Sequence, residues 1–282
     1  TDEQRQSRLG EEITSLLSIS STVQEGDKIA DVELKDIKGN IHHLSDYKGK
    51  YIILDFWSRY CGPCLDAFPL LKEIAEKYKE KTVQGLLRLL KKENDHLVTG
   101  FVGTPYFCHA LSQNHALKEA YDLLLKEDFP SWLYQVKKGA TTIWEHWDGM
   151  KDDGSMWSAD MNSFNHYAYG AIGEWMYRAM AGIEADSEHP GFKHAILYPR
   201  IGGNLKYTAG KYHSIYGDVG VKWEVQGKQI TLTVQIPVNT TAEIRLDKAK
   251  AVLESDGLTF TREADYMVAE AGSGTYHIAF EQ

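Results

Sequence analysis

Two groups of residues in this 282-residue chain have types and spacing that could do chemistry. The first is Cys61-Gly62-Pro63-Cys64. Thiol exchange needs an exposed, stabilised thiolate and a second thiol close enough to resolve the mixed disulfide. Here a near-continuous apolar run, Tyr51 to Trp57, reads as a buried strand, and a helical pattern begins at Leu65. A helix N-terminus lowers the pKa of a cysteine placed there. Cys61 is therefore the predicted attacking thiol and Cys64, one turn inside, the resolving thiol. Asp55, on the strand, could accept the proton of Cys64; its plainer reading is a group that satisfies backbone donors. A C-x-x-C pair can also be half of a zinc site, but that needs a second pair of ligands, and His42 and His43 fall in a strand pattern. No metal and no cofactor are expected.

The second group centres on Glu145, in Thr141-Thr-Ile-Trp-Glu-His-Trp-Asp-Gly149. Glycoside hydrolysis normally uses two carboxyl groups, and inverting enzymes hold them roughly 6.5–9.5 Å apart so that a water fits between base and sugar. A carboxylate set among aromatic rings is a candidate base, because flat rings match the apolar faces of pyranoses. Trp144, Trp147 and Tyr134 are then candidate walls of a cleft. Taken alone, each has a plain structural reading: a glutamate paired with a cation, or packed aromatics, and His166 taken alone reads as a core histidine. Asp148, Asp152, Asp153 and Asp160 are the carboxylates that could approach Glu145. Asp152-Asp153-Gly154 could also suggest calcium, but a lone acidic loop without further ligands reads as solvated.

The elements that must position these groups change in texture along the chain. Leu9, Ile13, Leu16 and Leu17 give a short amphipathic helix. Val32–Ile37, Lys38-Gly39-Asn40 and Ile41–Leu44 read as a hairpin, with a loop from Ser45 to Lys50. A helix from Leu65 to about Lys81 should kink at Pro69. From Gln84 the pattern is helical: through Leu86 to Leu90, Tyr106 to Ser112, Leu117 to Lys126, and Phe164 to Met180, with Gly182 placed to end the last. Residues 130–146 read as irregular and 147–162 as a polar loop. Beyond Gly182 the period becomes two. Val219, Val221, Trp223 and Val225, then Ile230, Leu232, Val234 and Ile236, flank a turn at Gln226-Gly227. Shorter strands near 195–198, 242–246, 267–270 and 276–280 complete the pattern of a β-sandwich.

Bulk properties narrow the partners. The net charge of −9, without a long block of one sign, argues against nucleic acid. No stretch is long and apolar enough to span a bilayer. The chain begins at Thr1 without a Met, as a trimmed product would, so the lack of a visible signal says little about compartment. Three cysteines do not make a disulfide framework, and Cys108 reads as a buried helix residue.

Two resemblances sharpen these readings. The segment from about Gly26 to Lys81 resembles thioredoxin-like proteins of the TlpA and ResA type. It does so through Asp31-Val-Glu-Leu-Lys-Asp36, Gly39-Asn40, Leu44-Ser-Asp-Tyr-Lys-Gly49, Leu54-Asp-Phe-Trp57 and Cys61-Gly-Pro-Cys64. In that family the roles of attacking thiol, resolving thiol and assisting carboxylate would fall on Cys61, Cys64 and Asp55. The pattern stops near Val83, and nothing downstream reads as the family's remaining strands or its cis-proline loop. From about Leu86 onward the chain resembles the C-terminal part of bacterial α-L-rhamnosidases, glycoside hydrolase family 78. The matching residues are His96–Pro105, Pro130-Ser-Trp-Leu-Tyr134, Gly139–Gly149, Asn162-Ser-Phe-Asn-His-Tyr167, Gly173-Glu-Trp175, Pro190-Gly-Phe192 and Tyr216-Gly217. That resemblance implies Glu145 as general base on water and His166 as a rhamnose contact. The family's general acid comes from a D-x-x-R-x-E type motif, which this sequence does not contain.

The expected architecture is multidomain α and β. Residues 1–83 form a partial thioredoxin-like α/β unit, 84–183 the closing helices of an (α/α)6 barrel, and 184–282 an antiparallel β-sandwich. The expected function is a fragment of an inverting glycoside hydrolase for terminal α-L-rhamnosides, with a base and no acid. The alternatives are a thiol–disulfide oxidoreductase acting on a thiol or disulfide partner, and an inactive remnant with a structural or carbohydrate-contact role. An incomplete barrel should expose apolar helix faces that favour homo-oligomers. The donor families imply a periplasmic or cell-envelope setting.

Overall fold

The computed structural model describes residues 31, 33–35, 41–48 and 68–282. Cys61, Cys64 and Asp55 lie outside the described residues, as do the predicted helix of 7–20 and the predicted strand of 51–57. The chain divides into two compact units, Thr1–Glu73 and Ile74–Gln282.

In the first unit, β1 (Glu33–Lys35) pairs antiparallel with β2 (Ile41–His43), Leu34 standing opposite His42. The predicted loop after β2 is instead a 3-10 turn, Leu44–Tyr47. Asp46 closes it by accepting the His43 N–H at 2.8 Å, a local side-chain bond that short polar residues make readily.

The helix α1 runs without interruption over Phe68–Lys92. It therefore crosses the change of texture at Gln84 that the sequence pattern places near a junction. Gly85 costs only about 1 kcal/mol relative to alanine in a helix, and the flanking Lys, Glu, Gln and Leu residues all favour helix. The kink expected at Pro69 would act on the preceding turn, which lies outside the described residues.

In the second unit a helical layer comprises α2 (Thr104–Ser112), α3 (Leu117–Leu124), α4 (Trp132–Lys137) and α5 (Ile172–Trp175). A 3-10 turn, Ala168–Ala171, precedes α5 and a π-turn, Met176–Ala181, follows it. Phe107, Cys108, Leu111, Tyr121 and Trp175 form the centre of this layer. Tyr121 meets Trp175 edge to face at 5.1 Å, and the Trp175 indole donates to Ser112 Oγ at 3.1 Å. The long helix predicted from Phe164 begins only at Ala168, and α4 lies within a stretch predicted to be irregular.

Ten strands make the sandwich: β3 (Ile183–Ala185), β4 (His194–Leu197), β5 (Tyr207–Ser214), β6 (Gly217–Gln226), β7 (Gln229–Ile236), β8 (Thr241–Asp247), β9 (Ala251–Glu254), β10 (Thr261–Arg262), β11 (Tyr266–Ala271) and β12 (Gly274–Glu281). They form two five-stranded sheets, in the orders β10-β11-β8-β4-β3 and β5-β6-β7-β12-β9. The β6–β7 hairpin has the predicted alternation in register, Trp223 facing Leu232 and Val225 facing Ile230. Inward residues of both sheets share one core, with Leu197, Val219, Trp223, Ile244, Leu246 and Phe280 at its centre. Every pairing is antiparallel except β4 with β8, which is parallel. Strand β5 lacks a clear apolar alternation because it is an edge strand, and only part of one face is buried.

The sandwich and the helical layer are tied by specific bonds. The Trp223 indole donates to the Met180 carbonyl at 2.9 Å, and Tyr121 Oη donates to the Arg200 carbonyl at 2.7 Å. The Tyr121 ring lies so close to Gly202 and Gly203 that a β-carbon there would meet it at 2.7 and 2.6 Å.

Candidate active site

Glu145 is held by a two-segment ribbon that the helical layer supports from behind. Its N–H donates to the Ser163 carbonyl at 2.8 Å, and its carboxylate Oε2 accepts the Ser163 N–H at 2.9 Å. Three residues along, the His166 N–H donates to the Ile143 carbonyl at 2.8 Å. The Thr142 hydroxyl donates to the Phe164 carbonyl. These bonds take the Phe164 carbonyl and the His166 N–H away from a helical ladder across residues 164–167.

Gln135, buried on α4, clamps the same segment from the other side. Its Oε1 accepts the Trp144 N–H at 3.4 Å and its Nε2 donates to the His146 carbonyl at 3.1 Å. Ser131 caps α4 by accepting the Tyr134 N–H at 3.1 Å. Replacing Ser131 with alanine should lower stability by about 1 kcal/mol, read as a shift of the urea midpoint. An unchanged midpoint would show that this cap is not needed to hold Gln135.

The aromatic residues expected to wall a cleft are mostly spent on packing. Trp144 and Trp147 are only 4% and 8% exposed, and Tyr134 only 7%. Trp147 stacks on Tyr169 at 3.8 Å and meets Trp132 edge-on at 5.2 Å. Trp144 meets Phe164 at 5.1 Å. Tyr134 Oη donates to the Met150 carbonyl and to Asp152 Oδ1, at 3.3 and 3.2 Å. The three rings thus form the rigid backing of the Glu145 ribbon.

His166 lies at an open cavity of about 530 Å³, lined also by Thr142, Ile143, Asn165, Tyr167 and Gly170. Its Nδ1 accepts the Ala168 N–H at 3.3 Å, which leaves Nε2 to carry the proton in the neutral ring. Phe101 stacks on the His166 ring, with centroids 4.8 Å apart. Glu145 is half-buried two residues from Ile143 and is not part of the cavity lining. The structure therefore places Glu145 and His166 on one ribbon. Ser163 and Phe101 fall inside stretches quoted for the rhamnosidase resemblance, whereas Gln135, just past Pro130–Tyr134, carries no motif that would have marked it in the sequence.

An acid partner must hold a proton near neutral pH. Two of the four nearby aspartates are poised the opposite way. Lys138 contacts Asp152 at 2.7 Å and holds its carboxyl below the usual range. Asp153 accepts from the Ser155 hydroxyl at 2.7 Å and its N–H at 2.9 Å, and its carboxyl is likewise lowered. The same contacts occupy the Asp152-Asp153 pair that suggested calcium.

Cys108 is buried on α2, with its thiol 3.9 Å from the Ala120 carbonyl. Burial pushes its pKa up to about 12. In a Cys61→Ser/Cys64→Ser variant, the remaining thiol should resist an aromatic disulfide reagent at pH 8 and react once urea unfolds the chain. Fast reaction of the native variant would contradict this burial.

The helical layer, closed by a β-sandwich, thus carries a glutamate and a histidine on one ribbon at its surface. Comparison with known proteins shows what this arrangement is similar to. Residues 63–180 match the bacterial α-L-rhamnosidase 6 hairpin glycosidase domain, and 182–260 the bacterial α-L-rhamnosidase C-terminal domain. Residues 25–97 match the AhpC/TSA family. An α-L-rhamnosidase of Streptomyces avermitilis is 37% identical over 206 residues, covering 72% of this chain and 20% of that protein. The crystal structure of the Streptomyces avermitilis α-L-rhamnosidase complexed with L-rhamnose superposes with a TM-score of 0.65 at 38% identity, covering 70% of this chain and 19% of that one. The thiol–disulfide oxidoreductase ResA of Geobacillus kaustophilus is 37% identical over 71 residues, 25% of this chain and 41% of that protein. The chain is chimera-like: its N-terminal part is similar to ResA-type proteins and its C-terminal part to bacterial α-L-rhamnosidases. It spans about a fifth of the length of the rhamnosidases it matches.

Proposed function

We propose that the region from 84 to 282 is a rhamnoside-recognising fragment of an inverting α-L-rhamnosidase, with Glu145 in the place of the general base and no acid to partner it. The division at 83 and 183 is part of the same proposal. The observation that carries it is the ribbon joining Glu145 to Ser163 and Ile143 to His166, which fixes a carboxylate and an imidazole together beside an open cavity. The relatives, named as α-L-rhamnosidases, support a terminal rhamnoside as ligand. Binding of methyl α-L-rhamnopyranoside, measured by calorimetry, should weaken about tenfold in His166→Ala, the loss of one or two hydrogen bonds to the sugar. If His166→Ala binds as tightly as the parent chain, the proposal fails. A second copy would complete the fragment through exposed apolar residues such as Phe101 and Val102, in the turn before α2, and Tyr106 on α2; an elution volume that depends on concentration would reveal it.

A second activity is proposed for the N-terminal part, thiol exchange by Cys61 and Cys64 with Asp55 as proton acceptor. The similarity to ResA over the residues that carry the C-x-x-C supports it. Reduction of insulin by the dithiol, lost in Cys61→Ser, is the test. A periplasmic or envelope setting fits both donor families.

A further inference from the structure

The end of the helical layer and the sandwich enclose another concavity, of about 670 Å³, whose lining includes Glu174, Tyr177, Arg178, Glu184, Phe192 and Tyr212. It shares no lining residue with the cavity beside His166. Its size falls within the range of about 300–1,000 Å³ common to small-molecule sites.

Its two sides differ in chemistry. One is aromatic. Tyr177 and Tyr212 are 46% and 43% exposed, and Phe192 packs on Tyr212 with ring centroids 4.5 Å apart. Phe192 has φ of 67°, directly after Gly191 at 77°. That left-handed backbone is unfavourable for a side chain as large as phenylalanine, and such conformations persist where the surroundings enforce them. The other side is ionic. Arg178 donates to Glu174 Oε1 at 2.8 Å and, through Nε, to Glu184 Oε1 at 3.1 Å. Among the described residues nothing donates to Oε2 of either glutamate. Each carboxylate is thus oriented by one oxygen and offers the other as an acceptor.

Exposed rings lining one concavity with oriented carboxylate acceptors suit a neutral pyranoside. The rings cover its C–H face, and the carboxylates accept its hydroxyl protons in charge-assisted hydrogen bonds. An anion would meet two carboxylates against one guanidinium. A purely apolar ligand would strip water from the carboxylates and return no donor. We propose that this concavity is a second saccharide site, independent of Glu145 and His166.

The test is saturation-transfer NMR of methyl α-L-rhamnopyranoside with the full chain carrying His166→Ala, so that the first cavity contributes little. Transfer to the sugar C–H protons should persist. Adding Tyr212→Ala should raise the dissociation constant about tenfold, as expected for loss of an aromatic contact, and Tyr212→Phe should restore it. Tyr177→Ala should weaken binding independently, and an unchanged urea midpoint would show that both variants fold. Absence of transfer in the His166→Ala chain, or binding unchanged by both alanine variants, would overturn the proposal. Failure of the His166 site alone would show instead as a His166→Ala chain that binds as the parent does.

Discussion

Release of p-nitrophenol from p-nitrophenyl α-L-rhamnoside by this chain should stay near the uncatalysed rate, and Glu145→Gln should not lower it further. The expectation rests on how inversion divides its work. The base activates water on one face of the sugar while an acid protonates the departing oxygen on the other. Glu145 is held well for the first task, with its carboxylate oriented by the Ser163 N–H and its backbone clamped by Gln135. Two of the candidate acids are poised against the second. Asp152 and Asp153 are held ionised by Lys138 and Ser155, and the D-x-x-R-x-E type motif is absent from the sequence. Each acid–base contribution is typically about 10²–10⁴-fold. Loss of the acid, with the sugar contacts that accompany it, should leave no measurable turnover. If the chain does turn over and Glu145→Gln abolishes it, the acid must come from this chain or from a second copy. Specific activity that rises with protein concentration would identify the second copy.

Gly182→Ala should be the most destabilising single-methyl change in the helical and sandwich region. Gly182 has φ of 74°, and its Cα faces the backbone of the neighbouring strand: a β-carbon would stand 2.1 Å from the Pro199 nitrogen. The Gly182 carbonyl also accepts the Tyr198 N–H at 2.8 Å, so the backbone cannot retreat without losing that bond. A left-handed non-glycine residue and an overpacked contact each cost about 1–3 kcal/mol, which together predicts a loss of about 3 kcal/mol or more. Gly227→Ala is the control. It also has a positive φ, of 64°, but no atom lies within 4 Å of its β-carbon position. It should cost about 1 kcal/mol. Urea midpoints of the two variants give the comparison, and equal shifts would mean that the contact with Pro199 relaxes freely.

The legible parts of the fold were those with a strong local period. The β6–β7 hairpin was readable because its apolar residues alternate on both sides of Gly227, and burial of one face sets its register. Gly182 was readable as a helix end because few other residues tolerate a left-handed C-cap. Edge strand β5 was not, since an edge with one partly buried face leaves no alternation to read. The start of the helix before α5 was misplaced for a different reason. Residues 164–167 have helical neighbours, but the Phe164 carbonyl and the His166 N–H bond to Thr142 and Ile143, more than twenty positions away.

The sequence by itself determined the C-x-x-C chemistry available to the chain and Glu145 as a carboxylate set among aromatics, because residue types at fixed spacing need no coordinates; its two resemblances supplied the two-part character and His166. Only the tertiary structure decided that α1 runs unbroken across the change of texture, because helix continuity depends on the balance of propensities and not on the origin of the residues. It also decided that Trp144, Trp147 and Tyr134 back the site instead of walling it. An aromatic ring serves packing and sugar contact with the same surface, and only the neighbours that bury it settle which.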